Sequence, residues 1–112
     1  ANISLLVMAA RKGIKTRIVD ATTEMFVLSG DSEITGNPEG IVSLFPLTTE
    51  VHGITLEGFE YPLHQATMAI GKPYGISNRL LADRGTISVT SGHLLVIKSW
   101  PDEKPKRGGG ES

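Results

Sequence analysis

The chain has 112 residues, enough for one domain with a modest core and too few for two catalytic lobes. Its 11 basic and 12 acidic residues nearly balance, so no overall field favours nucleic acid or an anionic membrane as a partner. It contains no cysteine, which excludes disulfides and thiolate chemistry and fits a cytoplasmic location. The longest apolar run, residues 3–10, is too short to cross a bilayer. We therefore expect a soluble domain with no nucleic-acid or membrane partner.

Residues 1–13 predict a helix. The first ten of them are apolar on nearly every side, which is typical of a helix that is buried all round. Arg11 and Lys12 suit the negative end of the helix dipole, and Gly13 can take the left-handed conformation that ends a helix. Because no start signal precedes Ala1, we expect the chain to begin inside a helix that continues from an upstream segment.

From residue 14 the pattern changes to short strands separated by glycine, proline and polar residues. Residues 16–20 and 25–29 predict a hairpin, whereas residues 30–40 are dense in turn formers. Pro46 indicates a sheet edge or a bulge in the strand that contains it. Five more strands are predicted at residues 41–48, 54–59, 66–70, 86–90 and 94–98. The pattern predicts a mostly β fold, a β-sandwich of short antiparallel strands preceded by one helix.

The last segment, residues 101–112, has no apolar side chain able to anchor it, so we predict a disordered tail. The predicted organisation is therefore a helix over residues 1–13, a β-domain over residues 14–100 and a tail over residues 101–112.

The residues alone indicate a binding domain more than a catalytic one. Gly71 and Lys72 lack the glycine spacing and the following serine or threonine of a phosphate-binding loop. Carboxylates are scattered, and none of them form a cluster that would hold magnesium. The three histidines share no metal-ligand spacing: His52, His64 and His93. No metal site is predicted.

Four sequence blocks follow one another along the chain. Residues 40–47 carry a glycine and a Ser-Leu-x-Pro-Leu strand, and residues 51–63 carry a Val-x-Gly-x-Thr segment that ends in Tyr-Pro-Leu. Residues 75–78 form a Gly-x-Ser-Asn turn, and residues 85–99 contain two closing strands. In content and order these blocks resemble the C-terminal, thiamine-binding domain of thiamine pyrophosphokinases. The resemblance identifies residues 14–100 as that domain and residues 1–13 as the last helix of an N-terminal α/β domain.

The resemblance implies a homodimer that binds thiamine between the β-domain of one subunit and the nucleotide domain of the other. The family transfers a pyrophosphoryl group from ATP to the thiamine hydroxyl and releases AMP. Its ATP and Mg2+ residues lie upstream of the matched blocks, so none maps onto this sequence. We therefore expect this chain alone to be inactive as a kinase.

The resemblance also supplies candidate contacts to thiamine. Ser77 and Asn78 are expected to complement the edge of the aminopyrimidine, and Gly75 to let the backbone approach it. His93 stands near the place where animal members carry a stacking tryptophan, and Leu94 or Leu95 could supply apolar cover instead. A plain β-turn is the alternative explanation of Ser77 and Asn78.

Other residues of the matched blocks are assigned ordinary roles. The Tyr61-Pro62-Leu63 segment is expected to pack in the core at a strand end, and Glu57 and Glu60 to lie on a solvated face. Two other functions remain open. One is a non-catalytic β-sandwich interaction module, and the other is a domain that binds another flat heterocycle, because a fold does not determine its ligand.

Overall fold

The computed structural model describes residues 16–72 and 75–101, together with Ser4, Met8, Ala9, Arg11 and Lys12. Within these residues no helix is long and apolar enough to cross a membrane. The chain there forms the strands β1 (Arg17–Val19), β2 (Thr23–Leu28), β3 (Asp31–Thr35), β4 (Ile41–Pro46), β5 (Glu50–Glu57), β6 (Leu63–Ala69), β7 (Ile76–Asn78), β8 (Arg84–Ser88) and β9 (Leu94–Ser99).

These strands form two antiparallel sheets. The five-stranded sheet has the order β1-β2-β9-β4-β7, and the four-stranded sheet has the order β3-β8-β5-β6. Buried side chains from both sheets belong to one apolar cluster, so the sheets pack face to face. The predicted β-sandwich is confirmed.

Alternation along β4 separates a core face from an outer face. Val42 and Leu44 are buried in the apolar cluster, whereas Ser43 and Phe45 are half-buried and point the other way. β9 runs antiparallel beside β4 and β2, and Val96 is paired with Leu44 on the core side. The outer face of the five-stranded sheet therefore consists of Ser43, Phe45 and the residues paired with them in the neighbouring strands.

β5 departs from strict alternation. Val51 and Ile54 are both fully buried although they are three positions apart. A register shift against β6 lies between them, and Gly53 within it has a φ of 68°. A side chain would be strained there, and its Cβ would clash with the Thr90 hydroxyl oxygen. This bulge keeps both apolar side chains on the core.

A row of polar groups ties the two sheets together at one end of the sandwich. The Lys98 ammonium lies 2.9 Å from the Glu24 carboxylate and donates to the Thr35 carbonyl in the other sheet. Arg17 also pairs with Glu24. Burial raises the pKa of Glu24, but the hydrogen bonds from Lys98 and Arg17 outweigh it, so the pKa is lowered from its ordinary value. Glu24 is thus held as a carboxylate.

The predicted hairpin near the start is confirmed, because β1 pairs with β2 through Arg17 and Phe26. Residues 30–40 were expected to be turns, but β3 lies within them. Its residues Asp31 and Ser32 are poor strand formers, and their pairing with β8 decides the structure instead.

Pro46 ends a strand that lies inside the sheet and has no bulge, but its own position is a local edge. β4 lies between β9 and β7, and β7 pairs with it only as far as Leu44, so no paired strand borders Pro46 on that side. The Lys12 amide donates to the Met8 carbonyl at 3.2 Å, the spacing of one helical turn. The rest of the predicted helix over residues 1–13 and the predicted tail beyond Pro101 lie outside the described residues.

Candidate functional site

The Gly-x-Ser-Asn segment is a strand and not the turn that the sequence predicted. Residues Ile76–Asn78 form β7, the edge strand of the five-stranded sheet, with Ser77 opposite Ser43 and Asn78 opposite Val42 in β4. Ile76 packs against the core. Because side chains alternate along a strand, Ser77 faces outward while Asn78 faces inward. The two adjacent candidates therefore have different surroundings.

Asn78 is buried, with 5% of its surface exposed. Its carbonyl oxygen accepts from the amides of Tyr61 and Arg79, each at 3.0 Å, and its amide nitrogen donates to the Tyr61 carbonyl at 2.7 Å. Both acceptor sites of the Asn78 oxygen are thus occupied, and one amide hydrogen is left. The main effect of this side chain is to bind the Tyr61 backbone to the end of β7.

Ser77 is exposed, and its hydroxyl makes no hydrogen bond to any described residue. It lies on the outer face of the sheet beside Ser43. A free hydroxyl can donate one hydrogen bond and accept two. Of the residues predicted for the site, Ser77 has the side chain that is most available to a ligand.

Gly75 makes room for a protein side chain. A Cβ at this position would lie 2.5 Å from two ring carbons of Phe45, so the aromatic ring packs directly against the Gly75 backbone. The expected role of Gly75 was close approach of a ligand. In the structure the Phe45 ring occupies that space, and any larger residue at position 75 would displace the ring.

His93 lies in the turn before β9, several residues along the sheet from Ser77. Its amide donates to the Thr48 hydroxyl at 3.1 Å and its carbonyl accepts from the Leu47 amide at 2.9 Å. Ser77 is level with Ser43, four residues from Leu47 along the chain, so the separation along the sheet is roughly 13 Å at 3.3 Å per residue. The His93 Nδ1 atom is buried and has no hydrogen-bond partner among the described residues.

An open cavity of about 460 Å³ lies at the free side of β7. Pockets that bind small molecules have volumes of roughly 300–1,000 Å³, so its size suits such a ligand. Its wall combines two candidate residues with four others that the sequence reasoning did not select. The lining residues are Ile41, Glu60, Tyr61, Ser77, Asn78 and Arg79.

Tyr61 was expected in the core, and this was wrong. Tyr61 is 62% exposed and lines the cavity, whereas Leu63, two positions later, packs against the core as expected. Between them the chain turns from the end of β5 into β6, and Pro62 lies in this connection. A proline beside a tyrosine between two strands marks a loop, and that signal could have placed Tyr61 at the surface.

The charged groups of the cavity form a loose pair. The Arg79 Nε lies 3.7 Å from a Glu60 carboxylate oxygen, both side chains are about half exposed, and the Glu60 amide donates to the Arg79 carbonyl at 2.8 Å. Glu60 was expected on a solvated face. It is solvated and also borders the cavity. The cavity therefore offers a hydroxyl, a tyrosine, one aliphatic side chain and balanced charge, groups that can contact a small polar ligand.

Within residues 16–72 and 75–101 and the five described residues upstream, no three His, Asp or Glu side chains are grouped so that they could hold a metal ion. Among these residues there is thus no ready-made set of three carboxylate or histidine ligands for the magnesium that the resemblance implies.

A family model and a curated relative both match this chain to thiamine pyrophosphokinases. Residues 32–94 match the family model described as "Thiamin pyrophosphokinase, vitamin B1 binding domain". The chain is 33% identical to the thiamine pyrophosphokinase of Bacillus subtilis over 100 residues, which cover 88% of this chain and 47% of that protein.

Solved structures agree with these sequence matches. The crystal structure of the Bacillus subtilis enzyme superposes with a TM-score of 0.81 at 31% identity, covering 89% of this chain and 48% of that one. The thiamin pyrophosphokinase of Geobacillus thermodenitrificans gives 0.79 at 33% identity, covering 91% and 47%. The Candida albicans enzyme, at 16% identity and a TM-score of 0.69, shows the shared fold over 87% of this chain and 38% of its own. The chain spans about half the length of the Bacillus subtilis and Geobacillus thermodenitrificans relatives.

Proposed function

The chain belongs to the thiamin pyrophosphokinase family and carries its vitamin B1 binding domain, and from this premise we propose that the cavity beside β7 binds thiamine. The observation that carries the proposal is the free Ser77 hydroxyl in a cavity of suitable size. Thiamine joins an aminopyrimidine to a cationic thiazolium that bears a hydroxyethyl group. Ser77 can complement the polar edge of the pyrimidine, and Ile41 can cover its apolar part.

The proposed reaction is that of the longer relatives. A pyrophosphoryl group passes from ATP to the thiamine hydroxyl, which gives thiamine diphosphate and AMP. Magnesium, where it is bound, neutralises charge on the transferred group. We assign ATP and magnesium to residues outside this chain, and we assign to this chain the binding and orientation of thiamine. On this account the chain alone binds thiamine without phosphorylating it.

A homodimer is part of the proposal, and the outer face of the five-stranded sheet supports it. The register aligns apolar side chains on that face, where a solvated sheet would carry polar ones. They are Met25, Val27, Phe45 and Ile97, which are half-buried, and Leu95, which is 4% exposed. Ser77 lies at the margin of the same face, so a second subunit seated there would border the thiamine site. The balanced charge and the absence of cysteine fit a cytoplasmic enzyme.

Calorimetric titration tests the proposed ligand. Thiamine and a neutral pyrimidine nucleoside are titrated into the purified chain, and sedimentation records its oligomeric state. We expect saturable binding of thiamine at least tenfold tighter than that of the nucleoside. Equal binding of both would favour a general heterocycle-binding domain, and binding of neither by a folded dimer would favour an interaction module.

A further inference from the structure

Within the described residues each sheet ends in two edge strands, and β6 is the longest of the four. It has seven residues, whereas β3 has five and β1 and β7 have three each. The backbone groups on the free side of an edge strand can pair with another chain. β3 carries Asp31 and Glu33, whose charges hinder such pairing. The sequence of β6 contains no carboxylate, lysine, arginine or proline, so β6 lacks that protection.

Two bulges interrupt the pairing of β6 with β5, and they compensate one another. In the first, β5 has one residue more than β6 between consecutive pairs, and in the second, β6 has one residue more than β5. The pairs that bound the bulges are Val51 with Met68, Ile54 with Ala66, and Leu56 with Leu63. The residues between these pairs are His52 and Gly53 opposite Thr67, then Thr55 opposite His64 and Gln65. Because the extra residues lie on opposite strands, the second bulge restores the register that the first one shifts.

Each bulge contains a residue with a left-handed backbone. Gly53 has a φ of 68°, and Gln65 has a φ of 50°. The left-handed conformation is unfavourable for a residue with a Cβ, so Gln65 is strained. Its amide donates to the Thr55 hydroxyl oxygen at 3.1 Å, within the sheet. The strand is therefore kinked at Gln65, in the middle of the free edge.

The core does not require either bulge. If Gly53 and Gln65 were both absent, every second residue of β5 and β6 would face the core, as in a regular hairpin. The residues at those positions all lie in the apolar cluster or pack against it: Val51, Ile54, Leu56, Leu63, Ala66 and Met68. The strain at Gln65 thus has no explanation in core packing.

We propose that the paired bulges protect the free edge of β6 against pairing with a second copy of this chain. A regular edge strand presents an extended row of backbone donors and acceptors, and a bulge twists and interrupts that row. The compensating bulge in β5 confines the distortion to a few residues, so the rest of the hairpin keeps its register. Self-association is then left to other surfaces of the sandwich.

Sedimentation of a variant that lacks both Gly53 and Gln65, beside the wild-type chain, tests the proposal. The variant should keep its strands by circular dichroism, and its weight-average mass should exceed that of the wild-type chain roughly twofold or more, because its β6 edges can pair. Adding Thr67→Lys to this variant places a charge on the edge and should restore the wild-type mass. A variant that lacks Gly53 alone should unfold at a lower temperature than the double deletion, because its register shift is uncompensated.

A folded double deletion with the mass of the wild-type chain would overturn the proposal. If the double deletion does not fold, the argument from register is wrong, and two point variants decide the role of the kink. Gln65→Val disfavours the left-handed backbone and should raise the mass, whereas Gln65→Gly accommodates it and should not. Equal masses for these two variants would overturn the protective role of Gln65.

Discussion

The polar residues inside the sandwich and the polar residues at the cavity differ in their hydrogen bonding. Inside the sandwich, one row across four strands contains Glu24, Lys98 and Asn78, and each of these side chains is bonded to other parts of the chain. At the cavity, the Ser77 hydroxyl bonds to no described residue, and the Glu60 carboxylate makes one loose ion pair.

This difference in hydrogen bonding indicates which polar residues stabilise the fold and which are available to a ligand. A buried polar group must be paired within the protein, because leaving it unpaired costs about 1–3 kcal/mol. An exposed polar group is paired by water and can exchange that water for a ligand. Substitutions in the interior row should therefore lower the free energy of unfolding, and substitutions of exposed cavity residues such as Ser77 should lower affinity without affecting stability. Asn78 belongs to both groups, because it lies in the interior row and also lines the cavity.

The largest effect is expected from Lys98→Met. This change removes the partner of Glu24 and the bond to Thr35 that links the sheets, and it leaves a largely buried carboxylate with Arg17 alone. We expect a loss of about 3 kcal/mol in the free energy of unfolding, measured by urea denaturation. Lys72→Met, which changes an exposed lysine in the same way, is the control. Equal stability of both variants would contradict the role of the interior row.

Asn78→Ala should have the next largest effect. It removes the bonds to the Tyr61 backbone and leaves those backbone groups without a protein partner. We expect a loss of about 2 kcal/mol in the free energy of unfolding. Because Tyr61 is released, thiamine affinity should fall as well. A variant with normal stability and reduced affinity would instead make Asn78 a direct ligand contact, as the sequence resemblance implies.

The pH dependence of stability should follow Glu24. Its pKa is lower in the folded chain than the ordinary value of 4.5, so its contribution is complete above that value and is lost as the pH falls through the folded pKa. Thermal unfolding between pH 7 and pH 3 should show the loss. Glu24→Gln should be less stable at pH 7 and should change less with pH. A parallel pH profile for the two proteins would show that another carboxyl group is responsible.

Much of the fold could be predicted from the sequence because the apolar pattern records it. Alternating residues in β4 and the turn signals around β5 and β9 were sufficient for a sandwich. β3 and β7 could not be found in this way. Both are short, and β7 is rich in residues that also favour turns, so long-range pairing with β8 and β4 determines their structure.

The candidate site was predicted less completely for a related reason. Ser77 and Asn78 could be selected as a motif, but their opposite orientations follow from the strand that the motif was not expected to form. Tyr61 is 17 positions from Asn78, and the sequence pattern around either residue does not indicate the hydrogen bonds between them. The distance of His93 from Ser77 likewise depends on the register of β4 with β7 and β9.

The smallest structural change should give the clearest functional one. Ser77→Ala removes an exposed hydroxyl without a described protein partner, so the unfolding free energy should stay within about 0.5 kcal/mol of the wild-type value. If the hydroxyl binds the aminopyrimidine, thiamine affinity should fall about tenfold, or about 1.4 kcal/mol.

The thiamine dissociation constant and the unfolding free energy of Ser77→Ala, measured beside those of the wild-type chain, show whether the Ser77 hydroxyl binds thiamine. Weaker binding at unchanged stability is expected. Unchanged binding by a stable Ser77→Ala variant would contradict it and would place the thiamine contact of this domain elsewhere on the sheet.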